Sequence, residues 1–420
     1  MVDRPPSLWR NRDFMLLWTG QVVSTVGIRI TAIAFPLLML AETGSPAVAG
    51  LVGFAQTLPF LVWYLPAGGL VDRWNRKRIM LTSDAVRAVA MASVVVALWL
   101  DRLTLPHILL VAFVEGTMFV FFQLSEDAAL PHVVSRAQLP AALAQNQARV
   151  QGAELVGPPL GGVLFGIGYV VPFLVNVVSY AVSVGTLLMI RPPFQKRRDE
   201  PRRHLFAEVA FGVKWLWRQH FLRAMVGLIG AANLVFNALV LVIIVRAQQL
   251  GASPALIGGI FVCYGAGAIA GALAAPAVSS RVPAVAVLIG SFWVWAVMCG
   301  LLTLPSQPLA LGAIAAAGAM VGPVFNVVIS NYRYALTPDH LQGRTLGAAR
   351  LVAWGMMPVG TLAGGLLVEA LGTRTTLVVL AAGMVLVALA SVASRTVRHP
   401  PELTVEAEAE PTRFATEGGR

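Results

Sequence analysis

Twelve long apolar runs constrain this chain more than any motif does. They fall at about residues 14–40, 47–70, 79–100, 105–124, 141–167, 170–190, 221–245, 255–278, 283–304, 309–329, 346–371 and 375–397. About 20 consecutive apolar residues make a helix long enough to cross the hydrocarbon core of a bilayer. A water-soluble fold could not hide such a load. Of the 420 residues, 57% are hydrophobic and 12% charged, against about 25% charged in soluble domains. Continuous runs of this length also exclude a transmembrane β-barrel, whose strands alternate over about ten residues. The expected fold is therefore an all-α integral membrane protein of twelve spanning helices. A soluble enzyme, a nucleic-acid-binding domain and a disordered chain are excluded on the same ground.

The net charge of +11 follows topology rather than a nucleic-acid partner. With both termini in the cytoplasm, the inner segments hold 24 of the 31 Lys and Arg residues, and the outer loops hold only Arg102, Arg246 and Arg374. Arg29, Arg87, Arg149 and Arg350 fall within runs. This asymmetry obeys the positive-inside rule and places a multi-pass protein in the cytoplasmic membrane. Residues 1–13 read as a cytoplasmic tail, with no cleavable signal peptide, and 14–190 as a six-helix half. Residues 191–220 form a cytoplasmic linker, 221–397 a second six-helix half, and 398–420 a disordered cytoplasmic tail. Within the linker, Phe206, Val209, Val213, Leu216 and Trp217 share one side, as in an amphipathic helix at the membrane interface.

A shift of 203 residues places Gly68 on Gly271, Arg78 on Arg281, Gly157 on Gly360, and Gly161–Gly162 on Gly364–Gly365. Both halves begin inside and hold six spans, so the repeat is parallel, the plan of major facilitator transporters. Between the second and third runs stands Gly69-Leu-Val-Asp72-Arg73-Trp-Asn75-Arg76-Lys77-Arg78. It resembles the loop signature of the major facilitator superfamily, with Asn75 where Gly is usual. Asn tolerates the left-handed backbone that Gly would supply, so a turn is expected there. The resemblance implies that the Asp72 carboxylate docks on span eleven and latches one conformation. In the second half Ala275 and Pro276 replace Asp72 and Arg73, so the latch is one-sided. In span five, Gly157-Pro158-Pro159-Leu160-Gly161-Gly162 resembles the core of the superfamily's antiporter signature, with Ala153 in the place of its leading Gly. A plain Gly/Pro packing face fits the same residues. The opening Asn11-Arg-Asp-Phe14, the Ala129-Leu-Pro131 stretch and the Leu341-Gln-Gly343-Arg344 step are similar to the enterobactin-exporter-like and macrolide-efflux-like branch.

Ionisable residues within spans are costly and mark functional candidates. Arg29, Glu115 and Glu154 lie near the middles of spans one, four and five, and are candidates for a proton or substrate pathway. The resemblance implies that spans one and four line the cavity, which would expose Arg29 and Glu115 to cargo. Glu115 is the first candidate proton carrier, with Arg29 as its neighbouring cation, and Glu154 the reserve. Asp84 and Arg87, three residues apart on one helix face, are expected to form a structural ion pair near the cytoplasm. Cys263 and Cys299 sit in apolar runs, and no His, Cys or carboxylate spacing suggests a metal, a cofactor or a catalytic set. The expectation is a monomeric secondary transporter that exchanges protons for a small drug-like, macrolide-like or siderophore-like molecule. An uptake symporter of the same fold and a transport-dead membrane sensor are the alternatives.

Overall fold

The structure, a computed structural model, describes residues 8–191, 194, 214–338 and 342–401. The linker residues Phe206, Val209 and Val213, the tail from 402 and Leu341 lie outside the described residues. Residues 214–218 are helical, but Leu216 is buried while Trp217 is exposed.

Every regular element among the described residues is helical. After a turn at Leu8–Arg10, the first half comprises α1 (Arg12–Thr43), α2 (Pro46–Arg73), α3 (Arg76–Trp99), α4 (Leu105–Val133), α5 (Leu139–Ile167) and α6 (Val171–Met189). The second half comprises α7 (His220–Gln249), α8 (Pro254–Arg281), α9 (Ala284–Leu301), α10 (Pro308–Ala319) and α11 (Val321–Leu336). It continues with α12 (Gln342–Gly355), α13 (Met357–Ala393) and the short α14 (Arg395–Arg398). Local chemistry sets the boundaries. Asn11, Ser45, Asn75 and Ser253 each accept the backbone N–H three residues ahead, an N-cap that satisfies a donor the helix cannot. Pro323 and Pro358 follow the breaks between α10 and α11 and between α12 and α13. Each lacks the N–H that would bond back across the break.

Among the described residues, ten segments are long and apolar enough to cross a membrane. α5 is equally long, 29 residues, but Gln145, Asn146, Gln147 and Arg149 make its first half polar. The last segment, Leu351–Ala393, contains Gly372 at φ 75°, a left-handed conformation that glycine alone adopts readily. The expected spans 346–371 and 375–397 are the two sides of that break. The twelve-span count thus depends on α5 and on Gly372. Val89, Trp99, Leu110, Leu273 and Leu386 stand exposed, an apolar skin suited to lipid rather than water.

Of the glycines matched by the 203-residue shift, Gly157, Gly161 and Gly162 make contacts equivalent to those of Gly360, Gly364 and Gly365, whereas Gly271 meets Met320 and Gly68 meets nothing. On α5, a side chain at Gly157 or Gly161 would strike Arg29 or Ile30 of α1, and one at Gly162 would strike Pro254 and Gly258 of α8. On α13, Gly360 and Gly364 meet Leu234 and Ala238 of α7, and Gly365 meets Pro46 and Gly50 of α2. In each half, then, two glycines seat a helix on its own first helix, and the third seats it on the other half. The halves meet through α5 against α8 and α2 against α13, at the end that carries the α1–α2 turn.

Candidate functional site

Between the halves lies a cavity of about 480 Å³. Phe236, Tyr264, Trp295 and Phe325 give it an aromatic wall from the second half, while Arg29 and Glu154 face it from the first. Arg29 Nη2 stands 2.6 Å from Glu154 Oε1, and the two side chains are 33% and 43% exposed. One helical turn of α5 places Glu154 just before Gly157, and the missing side chain at Gly157 lets α1 approach closely enough for Arg29 to reach it. An ion pair this open to solvent contributes little to stability, so it is free to exchange partners with a charged ligand. Trp295 Nε1 donates to Gly318 O at 3.1 Å, which fixes the indole against the cavity close to the break before α11.

Glu115 is not in this cavity. It is 3% exposed and points from α4 into a polar cluster enclosed by α1, α3, α4 and α6. Arg87 donates to Glu115 Oε1 from Nε at 3.1 Å and from Nη2 at 2.7 Å, and the Tyr180 hydroxyl donates to the same oxygen. Arg87 also reaches Asp84 Oδ1, at 3.4 Å, and its guanidinium lies 4.3 Å from the centre of the Tyr180 ring. The expected Asp84–Arg87 pair therefore exists, yet Glu115 is the closer partner of Arg87. Both residues are buried inside the half. Arg29 does not pair with Glu115 because it leaves α1 on the side facing α5. Ser183 donates to Asp84 Oδ2 at 2.5 Å and accepts from Gln21 Nε2 at 2.8 Å, while Asn176 donates to Thr31 at 3.2 Å.

A second buried pair escaped the sequence reading. Arg149 on α5 binds both carboxylate oxygens of Glu126 on α4, at 2.6 and 3.2 Å, while Gln147 and Gln151 beside it stay exposed. Asn176, Ser179, Tyr180 and Ser183 on α6 were missed too. Their spacing of three, one and three residues puts all four on one helix face, facing Gln21 and Thr31 of α1. That periodic polar stripe inside an apolar run was the available signal.

The loop motif is built differently from expectation. Asn75 adopts φ −69°, ψ 110°, an extended N-cap and not a left-handed turn. Its side chain accepts the Arg78 N–H at 3.0 Å, which is why Asn serves where Gly is usual. Arg76 donates to the carbonyls of Ala128 and Phe194, at 2.8 and 3.4 Å, and Lys77 donates to that of Ile190 at 2.5 Å. These carbonyls lie in the last turns of α4 or just beyond α6, where cations are favourable. Asp72 contacts Arg76 at 3.4 Å and is about half exposed, Arg73 and Arg78 are exposed and Gly69 is buried. The expected partner of Asp72, the start of span eleven, adjoins residues 339–341, outside the described residues. At the opposite end, Glu369 of α13 accepts from Ser45 Oγ at 3.0 Å and from the Ala47 N–H at 3.3 Å. It thus caps α2 across the boundary between halves.

With the fold and cavity in view, the likeness to known proteins is extensive. Residues 5–412 match the family described as transmembrane secretion effectors, within the major facilitator superfamily. The multidrug efflux pump Tap of Mycobacterium bovis is 25% identical over 399 residues, 91% of this chain and 93% of that protein. Macrolide efflux protein A of Streptococcus pyogenes is 24% identical over 181 residues, 43% of this chain and 45% of its own. A bacterial homologue of the iron transporter ferroportin, solved in an inward-facing state, superposes with a TM-score of 0.72 at 14% identity, covering 92% of this chain and 99% of its own. The fold, the cavity shared between the halves and the match over nearly the whole chain agree, and the protein belongs to the transmembrane secretion effector family, an efflux-like branch of the transporters of the major facilitator superfamily.

Proposed function

We propose that the protein exports amphipathic, drug-like or macrolide-like small molecules across the cytoplasmic membrane in exchange for protons. The observation that carries this reading is the cavity itself: an aromatic wall supplied by one half, and one solvent-accessible ion pair, Arg29–Glu154, supplied by the other. Aromatic surface takes up the apolar body of a cargo without demanding one shape. The ion pair offers either sign of charge to its polar end. The names of the efflux relatives, and the 24 inner basic residues against three outer ones, support an orientation with both termini in the cytoplasm. One chain carries both halves, so a monomer suffices.

The cycle is alternating access. Contacts of α5 with α8 and of α2 with α13 close the outer end in the present arrangement, and Glu369 of α13, which accepts from Ser45 and Ala47 at the start of α2, reinforces them. In the opposite state Asp72 takes the corresponding role at the cytoplasmic end and latches span eleven. The test is ethidium accumulation in an efflux-deficient bacterium that expresses the chain. Accumulation should fall several-fold and recover when a protonophore collapses the gradient. Trp295→Ala should abolish most of the effect at equal expression. Gradient-driven uptake of ethidium would favour the symporter, and no movement of any cationic, neutral or anionic probe would favour the sensor.

A further inference from the structure

Three carboxylates, Asp84, Glu115 and Glu126, lie buried in the first half against two guanidinium groups, Arg87 and Arg149. Glu126 and Arg149 neutralise each other through two hydrogen bonds, at 2.6 and 3.2 Å. That leaves Asp84 and Glu115 facing one cation, Arg87. Among the described residues, the remaining packed elements add only neutral groups: Tyr180, Ser183 and Asn176 on α6, and Gln21 and Thr31 on α1. Glu126 acts on Asp84 through space and adds negative charge, not positive. One negative charge is therefore unmatched at a site that water does not reach, and an isolated buried charge is expensive. A single bound proton removes it. Glu115 Oε2 is also buried without a hydrogen-bond partner, so the cluster has an acceptor to spare.

We propose that Asp84 and Glu115 share one exchangeable proton against Arg87, and that this cluster, behind α1 and apart from the cargo cavity, is the proton-carrying site. The proposal rests on the proton-exchange reading above. The Arg29–Glu154 pair cannot serve equally, because one cation there meets one anion and both are open to solvent. α1 supplies the link between the two sites. Its Gln21 and Thr31 bond to Ser183 and Asn176 on the cluster side, and its Arg29 enters the cavity on the other. Loss of the proton leaves a net charge beside α6 and changes what those bonds must hold, so a shift of α1 carries the change to Arg29. Arg87 is a positioning residue here, fixed between the two acids and over Tyr180.

Charge counting makes a sharper statement than a single carrier residue does. Neutralising either acid leaves one acid against one arginine and no excess charge, so both Asp84→Asn and Glu115→Gln should lose the proton. The measurement is infrared difference spectroscopy of the purified full-length protein during a pH titration, read at the carbonyl stretch of a buried protonated carboxylic acid. The wild type, Glu154→Gln and Arg87→Lys, which preserves the charge count, should each show one titrating band. Asp84→Asn and Glu115→Gln should each lack it while remaining monodisperse. A band that persists in either neutral variant, that is absent from the wild type, or that vanishes in a folded Arg87→Lys protein overturns the proposal. The reading needs no cargo, so failure of ethidium export would sink the exporter reading while leaving this test decisive.

Discussion

Arg29 and Arg87 show how burial decides what an intramembrane cation does. Arg29 meets Glu154 in a half-open setting, where an ion pair contributes about 0–1 kcal/mol. Arg29→Gln and Glu154→Gln should therefore reach wild-type expression and melting temperature. Glu154→Gln should raise the KM for a lipophilic cation such as ethidium about tenfold, and Arg29→Gln should not, which transport titrations at matched protein levels would check. Arg87→Gln is a different case. It strands Asp84 and Glu115 without a counter-charge, and breaking a buried pair on one side costs about 3–5 kcal/mol. Thermal unfolding in detergent should show a melting temperature lower by several degrees, and Asp84→Asn on top of Arg87→Gln should recover part of the loss. The sequence marked each of these charges as costly and paired Arg87 with Asp84 on its own helix, but it named no correct partner on another helix. Arg87 and Glu115 are 28 residues apart on different helices, and helical periodicity names the faces of a helix without saying which faces meet. For the same reason Arg29 was matched with the wrong acid, and the Glu126–Arg149 pair was not seen.

At the scale of helices, glycines matter through the approaches they permit. Gly162 and Gly365 each seat a helix on the opposite half, where a Cβ on Gly365 would lie 2.5 Å from Pro46 O and 2.9 Å from Gly50 Cα. Backbone cannot retreat as a side chain can, so Gly162→Leu and Gly365→Leu should hold the halves apart at the α1–α2 end. Spin labels at Thr43 and Arg102 of one half, paired with labels at Leu304 of the other, should report longer distances across the α1–α2 end in both variants. Glu369→Gln should give the same change in weaker form. Gly157→Leu strikes α1 within its own half instead, and should lower the yield of folded protein without widening that gap. At the other end, Asp72→Asn should leave insertion intact and cut ethidium export at least tenfold, while Ala275→Asp changes export little. The repeat was legible because glycine positions survive in the spacing of the chain. Asn75 was legible only as a turn, since an N-cap and a left-handed residue call for the same side chain.

For the molecule as a whole, the twelve-run pattern and the charge asymmetry carried the reading furthest, because lipid imposes one rule on the entire chain: apolar outside, positive inside. Topology can be checked with single cysteines in a background lacking Cys263 and Cys299. Cysteines at Thr43 and Arg102 should react with an impermeant maleimide on whole cells, and those at Asn75 and Arg136 only after permeabilisation. Thr373, although at the outer end by sequence, is buried against Gln249 and should stay protected on both sides. What the sequence could not disclose was the separation of a cargo cavity from a charge cluster by a single helix, because that follows from how α1 is sandwiched between α5 and α6. The central claim is that cargo leaves the cytoplasm as protons enter. Its most direct test is ethidium movement in everted membrane vesicles, whose lumen corresponds to the cell exterior. With an acid lumen, ethidium should accumulate inside the vesicles, and nigericin should abolish the accumulation by discharging the pH gradient. Accumulation that survives nigericin, or ethidium driven out of the lumen by the same gradient, would contradict proton-coupled export.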